Sequence, residues 1–278
     1  MIISAKFFGR LGNQLFQYAT LKNLSLLNFC EINYDINFSW DDQKCLLNNF
    51  DLTKSVEAFI SETYSQPVNP YFYDEKIKNI KRDTVISGYF QNEKYFEEHK
   101  DIIKNELTLK NELSIECLNF INKLKENNKK IVGIHIRRGD YCPHTGGNNK
   151  IWNEDKIFLF MKKVLLRITE EDKNIKIIFF IGGKKGEDTP ENNKTDIEWL
   201  NRKIREHKKN NYDFIVSPGS IENNVLKDYC LMSNCDYFIH TNNSSFSWWA
   251  SYINPNPNKK IFINKDFENI NSKEFILL

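Results

Sequence analysis

The chain has 278 residues, 40% of them hydrophobic and 27% charged, with 39 lysines and arginines against 37 aspartates and glutamates and a formal net charge of +2. That length supports one large or two modest domains, and so even a charge balance excludes a general field for nucleic acid or membrane, leaving any basic function local. No run approaches the ~18 apolar residues of a membrane span, the start MIISAKFFGR lacks the segments of a secretory leader, and the six cysteines (Cys30, Cys45, Cys117, Cys142, Cys230, Cys235) form no C-x-x-C pair, so a soluble cytoplasmic protein with reduced, mostly buried thiols is expected.

Ile2 to Phe8 reads as a first strand running into Gly9-Arg10-Leu11-Gly12-Asn13-Gln14, with a helix from Leu15 to Leu27. A strand, a glycine turn and a helix start make an anion or sugar site possible, and a tight connection with two glycines at positive φ explains the same residues equally well. Glu31 to Ile36 is a second strand with Asp35 at its end. From Phe38 to Arg82 the pattern is irregular. Val85 to Phe90 is a short strand, an amphipathic helical region follows from Ile102 through Leu124, and ENNKK at 126–130 is the best linker, dividing the chain into 1–128 and 129–278.

The stretch KKIVGIHIRRGDY at 129–141 is the centre of the sequence. Ile131, Val132, Ile134 and Ile136 make an apolar β-branched run of the kind buried on both faces of a parallel sheet, and it ends in Arg137 and Arg138. Ligands of open α/β sheets sit beyond the carboxyl ends of strands, and two forked guanidiniums there suit a diphosphate. Gly139 lets backbone approach and Asp140 can orient the arginines; solvated arginines at a strand end are the competing reading. The second half then alternates strand and helix, as a doubly wound domain does: a glycine-rich loop PHTGGNNK, a helix at 154–168, a strand at 175–181, a hydrophilic loop GGKKGEDTPENNK, a helix at 196–206, a strand at 214–216, a turn at 217–219, a helix at 223–232 and a strand at 237–240. It leads into TNNSSFSWWASY, where small hydroxyl and amide side chains open a helix carrying two tryptophans. These offer donors to a phosphate, or a capped, tryptophan-anchored helix and nothing more.

Taken together, GRLGNQLFQYA, GIHIRRGDY and NNSSFSWWASY, in that order, resemble the bacterial α-1,2-fucosyltransferases of glycosyltransferase family 11, and GYFQNEKYF and LKDYCLMSNCDYFIHTNNSS are similar to the segments that accompany those motifs. The resemblance runs from Ile2 to about Ile263. It implies an α/β, GT-B-like fold of two Rossmann-like domains facing a central cleft, with an acceptor-side domain first and the GDP-sugar domain second. By resemblance His135, Arg137 and Arg138 line the GDP-fucose pocket with an arginine on the β-phosphate, Asp140 orients them, Asn243, Ser244, Ser245 and Phe246 belong to the nucleotide pocket, and Gly9, Gly12, Asn13 and Gln14 lie on the opposite wall. One segment departs from the family pattern. The strand at 175–181 does not run straight into a Ser-Asp-Asp; GGKKGEDTPENNK intervenes before Thr195-Asp196-Ile197-Glu198-Trp199, so Asp196 takes the motif's part only after a detour.

The activity implied is inverting, metal-independent transfer of L-fucose from GDP-β-L-fucose to the 2-hydroxyl of a terminal galactose in a surface or O-antigen glycan, with no cofactor and at most peripheral association with the inner face of the cytoplasmic membrane. No Asp-x-Asp stands at a strand end to hold a metal, so preorganised arginines carry the charge of the leaving diphosphate. Asp35, Asp140 and His135 are each chemically able to serve as base, and a satisfied core histidine is the competing reading of His135. A transferase using another nucleotide sugar and a noncatalytic glycan or sugar-nucleotide binder keep most of these features; a nucleic-acid binder lacks the basic footprint it would need.

Overall fold

The computed structural model describes residues 1–37, 39–40, 43–138, 153–182, 190–206, 212–265 and 272–278. In the first unit β1 (Ile2–Ala5), α1 (Leu11–Asn28) and β2 (Glu31–Tyr34) are followed by a two-residue antiparallel pair, β3 (Ser39–Trp40) and β4 (Gln43–Lys44), then by β5 (Thr63–Ser65), β6 (Thr84–Ser87) and α2 (Lys100–Glu106). Four of these strands make a parallel sheet in the order β2-β1-β6-β5. The stretch expected to be irregular thus contributes an edge strand too short to show a period. Helix α1 is buried nearly all round, including Leu15, Phe16, Tyr18 and Leu21, so its polar side chains must find partners inside. Lys22 Nζ meets Glu106 Oε1 at 2.9 Å and the Thr53 hydroxyl, and Tyr18 donates to Glu106 Oε2 at 2.5 Å. Burial, with this carboxylate adding to it, pushes the Tyr18 phenol well above its ordinary range.

The second unit contains α3 (Glu112–Leu124), β7 (Lys130–Arg137), α4 (Glu154–Glu171), β8 (Ile175–Gly182), α5 (Pro190–Glu206), β9 (Asp213–Val216), α6 (Pro218–Glu222), α7 (Val225–Met232), β10 (Tyr237–His240), α8 (Ser245–Tyr252), β11 (Lys260–Ile263) and β12 (Phe275–Leu277). All six strands are parallel, in the order β12-β11-β10-β7-β8-β9. Ile131, Val132, Ile134 and Ile136 of the central strand are fully buried, each worth about 1.5–3 kcal/mol relative to exposure. Gly133 interrupts them because a Cβ there would lie 2.7 Å from the Phe238 ring and 2.8 Å from Cys235 Sγ; the neighbouring strand packs straight onto its backbone.

The division between units falls between Lys110 and Asn111 rather than at the expected 128/129. What reads as one helical region from Ile102 to Leu124 is two helices, because Asn111 caps a new one by accepting from the Ser114 N–H at 3.2 Å. The new helix turns Cys117 and Ile121 inward, and α3 packs against α7 in the second unit. ENNKK is a tight turn inside that unit, with Asn127 and Asn128 both in the left-handed region and Lys129 paired with Asp213 at 2.9 Å. The stretch read as a hydrophilic loop begins the helix α5 at Pro190, and residues 183–189 lie outside the described residues. The five described cysteines are free thiols, four of them buried. Among the described residues no helix is long and apolar enough to cross a membrane.

Candidate functional site

The sheet order reverses its sequence direction between β7 and β10, and in open α/β sheets ligands generally bind beyond the carboxyl ends of the strands at such a switch point. His135, Arg137 and Arg138 stand at the end of β7, and His240 to Asn243 at the end of β10. The two ends are clasped together. Thr241 Oγ1 donates to the His135 carbonyl at 2.6 Å and Asn242 Nδ2 donates to the Arg137 carbonyl at 3.0 Å. Both groups are buried, so each bond replaces water that the strand ends have lost.

Arg138 leaves the strand with its N–H bonded to the Gly182 carbonyl at 2.9 Å. Its guanidinium is almost wholly buried, and Nε meets Asp196 Oδ1 at 3.1 Å, with side-chain exposures of 7% and 5%. The detour through the inserted segment therefore ends with Asp196 beside this arginine, delivered by a helix instead of a strand end. The Trp199 ring covers the guanidinium, whose carbon lies 4.1 Å from the ring centroid. Spacing of three on α5 puts Asp196 and Trp199 on one face. The indole N–H of Trp199 donates to Glu154 Oε1 at 3.3 Å, Lys203 Nζ holds the other Glu154 oxygen at 3.1 Å, and Phe158 packs against the indole. Arg137 is half-buried. Asp140 and Gly139, expected to orient the arginines and admit backbone, lie outside the described residues, as does the loop PHTGGNNK.

His135 is buried, and burial, then Arg137 and His240, push its pKa down to about 3, so the ring is neutral at ordinary pH and a poor proton acceptor. That removes it from the candidate bases. Its Nδ1 has no hydrogen-bond partner among the described residues, and Phe246 meets the ring edge-on at 6.0 Å. His240 is a core histidine, its two nitrogens held by Ser247 Oγ at 3.1 Å and Ser251 Oγ at 2.9 Å, with its pKa pushed down to about 3 by burial. Asn243 and Ser244 are buried, and Ser245 and Phe246 partly so. Ser244 occupies the N-cap of α8 without making a side-chain cap bond. Below this end of the sheet, the buried Asp228 carboxyl accepts from Ser217 Oγ at 2.5 Å and Ser220 Oγ at 2.7 Å; burial pushes its pKa up to about 7 against those bonds.

In the first unit the analogous reversal lies between β1 and β6. Gly9 has φ +76°, and a Cβ there would lie 2.4 Å from Asn13 Nδ2, so it is the glycine this turn requires. Gly12 is instead inside the first turn of α1, which starts at Leu11 and not at Leu15. Asn13 Oδ1 accepts from Gln91 Nε2 at 2.7 Å, and Gln14 bridges the Gly9 carbonyl and the Leu46 N–H at 2.8 and 3.0 Å. Asp35 is exposed just after β2 and accepts from the Asn37 N–H at 2.7 Å. Among the described residues no group of three or more His, Cys, Asp or Glu is placed to hold a metal ion.

The sequence model of glycosyl transferase family 11 matches residues 3–275. The chain belongs to glycosyltransferase family 11. It is 27% identical to an alpha-1,2-colitosyltransferase of Escherichia coli, over 91% of this chain and 87% of that protein. It is 25% identical to the O-antigen biosynthesis glycosyltransferase WbnK of Escherichia coli, over 88% of each, and to a galactoside alpha-(1,2)-fucosyltransferase 2 of Sus scrofa, over 88% and 67%. Among solved structures it is similar to NodZ alpha-1,6-fucosyltransferase soaked with GDP-fucose, with TM-score 0.53 and 13% identity over 91% of this chain and 92% of that one. POFUT1 in complex with GDP-fucose gives TM-score 0.53 and 12% identity over 94% and 96%. At such identities these structures speak for the fold, which is α/β of the GT-B type.

Within this family 11 chain, four residues close to the arginines were not singled out from sequence: Thr241, Asn242, Trp199 and Glu154. Thr241 and Asn242 sit in the same TNN run as Asn243, and their position at a strand end was a usable signal. Trp199 stands three residues after Asp196 on a helix, a spacing that pairs them. Nothing in the sequence links Glu154 to either.

Proposed function

We propose that the protein is an inverting α-1,2-fucosyltransferase that moves L-fucose from GDP-β-L-fucose to the 2-hydroxyl of a terminal galactose in a surface or O-antigen glycan, without a metal or cofactor. The observation that carries this reading is Arg138, a buried guanidinium fixed at the carboxyl end of the central parallel strand by Asp196 and Trp199, with Arg137 beside it. In the reaction the acceptor oxygen forms a bond to the anomeric carbon, the bond from that carbon to the β-phosphate oxygen breaks, and GDP leaves with the electron pair. Arg137 and Arg138 offset the charge that develops on the diphosphate; a single such donor in a water-poor site is worth about 2–4 kcal/mol of barrier. Asn243, Ser244, Ser245 and Phe246 hold the nucleotide beside them. Asp140 orients the arginines, and the acceptor's proton goes to a carboxylate, since burial holds the His135 pKa down at about 3 and makes its imidazole too weak a base.

A second reading of the donor has a specific support, the similarity to a colitosyltransferase. It keeps the diphosphate arginines and changes only the sugar contacts. Calorimetric titration with GDP, GDP-fucose, UDP and UDP-galactose in metal-free buffer, on wild type and Arg138→Ala, separates these. Guanine-selective binding lost in a folded Arg138→Ala variant is expected, followed by turnover of GDP-fucose on a galactose-terminated acceptor. Selective binding of UDP overturns the donor, turnover only with the colitosyl donor establishes the second reading, and binding without turnover on any galactose-terminated acceptor leaves a sugar-nucleotide-binding protein. Near-normal turnover by Arg138→Ala overturns the role of the arginine.

A further inference from the structure

We infer that Asn242, seconded by Thr241, is a positioning residue, which carries the hydrogen-bond ladder of β7 past the end of its neighbour and so sets the point from which Arg137 reaches the diphosphate. The inference rests on the donor reading above and adds to it what holds the strand end in register. The last backbone pairing between β10 and β7 joins His240 to His135, while β7 runs on to Arg137 and keeps its pairing with Gly182 of β8 on the other edge. On the β10 side the Arg137 carbonyl accepts from Asn242 Nδ2 at 3.0 Å, and the His135 carbonyl accepts from Thr241 Oγ1 at 2.6 Å. The amide of Asn242 thus continues, on side-chain atoms, a ladder whose backbone has stopped. The main chain of β10 is thereby released to turn toward Ser244, the N-cap of α8, with β7 still held on both edges. Packing alone does not call for these two side chains. Both are buried, and leucine and valine would fill similar space. The amide must present Nδ2 to the carbonyl, since Oδ1 there would set two acceptors against each other. Oδ1 is then left buried without a partner among the described residues, a cost that leucine would not carry. What the asparagine adds is its bond to Arg137. An arginine aimed from a strand end is only as well placed as the backbone that bears it, and a shift of about 1 Å can cost on the order of 100-fold in rate.

Affinities for GDP and GMP in metal-free buffer, with melting temperatures, measured for Asn242→Leu, Thr241→Val, Thr241→Ser and Arg137→Ala, test it. The wild type is expected to prefer GDP, and Arg137→Ala to lose most of that preference, because the guanidinium serves the phosphate that GMP lacks. Asn242→Leu is expected to cut the preference about fivefold or more while its GMP affinity stays within about twofold of wild type. Thr241→Val is expected to act in the same direction by a smaller factor, and Thr241→Ser, which keeps the hydroxyl, to recover most of that loss. Added to Arg137→Ala, Asn242→Leu is expected to lower the preference by no more than about twofold further. A residue that only packs would lower the melting temperature and weaken GDP and GMP by the same factor. Equal factors, or the wild-type preference in Asn242→Leu, would overturn the inference while leaving the donor reading standing. Full preference for GDP in Arg137→Ala overturns it as well, since the arginine would then have no part for Asn242 to set. If Asn242→Leu does not fold, the Thr241→Val and Thr241→Ser pair decides by the same comparison. A wild-type protein that does not bind GDP overturns both readings together.

Discussion

Replacing Asp196 with asparagine removes the negative partner of Arg138 and keeps the shape of the side chain. At 3.1 Å and an effective dielectric of about 20, the attraction between the two charges is about 5 kcal/mol. With both groups more than nine-tenths buried, little water is available to replace the lost carboxylate, and breaking such a pair from one side commonly costs about 3–5 kcal/mol. Set against a total stability of about 5–15 kcal/mol, that is a large loss. Urea unfolding followed by tryptophan fluorescence measures it, and Trp199 over the guanidinium reports on the same site. GDP is expected to restore part of the lost stability, because a bound diphosphate returns negative charge to the arginine. The double variant Arg138→Met, Asp196→Leu is expected within about 1 kcal/mol of wild type and without affinity for GDP, since apolar side chains replace a buried pair at little cost. Asp196→Asn within about 1 kcal/mol of wild type, or a double variant as unstable as the single one, would refute the reasoning.

The metal-free reading predicts that exhaustive chelation leaves turnover unchanged; loss on chelation with recovery on adding one divalent ion would sink it. Burial keeps His240 neutral with its pKa at about 3, so its contribution is intact above the unfolded value of about 6.5 and is lost as pH falls toward 3, when the unfolded chain takes up a proton that the folded chain refuses. The stability difference between wild type and His240→Gln should therefore narrow by about 1.3 kcal/mol between about pH 7.5 and about pH 5.5. Asp228, with its pKa raised to about 7, acts in the opposite sense but is common to both proteins and cancels. A difference that does not change with pH would mean that His240 titrates normally.

Most of the parallel framework was legible in the chain because buried strands announce themselves by composition. Ile131 to Ile136 and Ile175 to Ile181 are long, apolar and rich in β-branched residues, and both are strands of the second sheet. The polar ends of β7 and β10 were legible for the same reason, since residues that follow a buried strand are forced to its carboxyl edge. Short edge strands such as Thr63–Ser65 and Phe275–Leu277 carry three residues each, too few to show a period. The helix from Pro190 begins with PENNK, whose polar residues give no apolar period to mark a helix start. The unit boundary was misplaced because apolar residues continue across Leu107 and Leu109, both buried, and only the Asn111 cap marks the change. In the site, what escaped was whatever depends on partners distant in sequence. Arg138 and Asp196 were recognised singly, but the ring over the guanidinium and its tie to Glu154 come from three separate elements.

The place of β7 at the middle of its sheet also governs how the chain can be made. One flank of this strand is covered by β8, which follows within about 45 residues, but the other is covered by β10, with Val132 opposite Tyr237, about 105 residues later. At ~5–20 residues per second the wait is roughly 5–20 s. During synthesis a strand with an apolar middle, Ile131 to Ile136, therefore stands with one edge unpaired, which is the condition that invites association with another chain. Lys129 precedes that strand and Lys130 opens it, while Arg137 ends it and Arg138 follows. Charges at both ends of an exposed hydrophobic strand oppose its stacking on copies of itself, so the two arginines proposed to hold the diphosphate have a second consequence for the nascent chain.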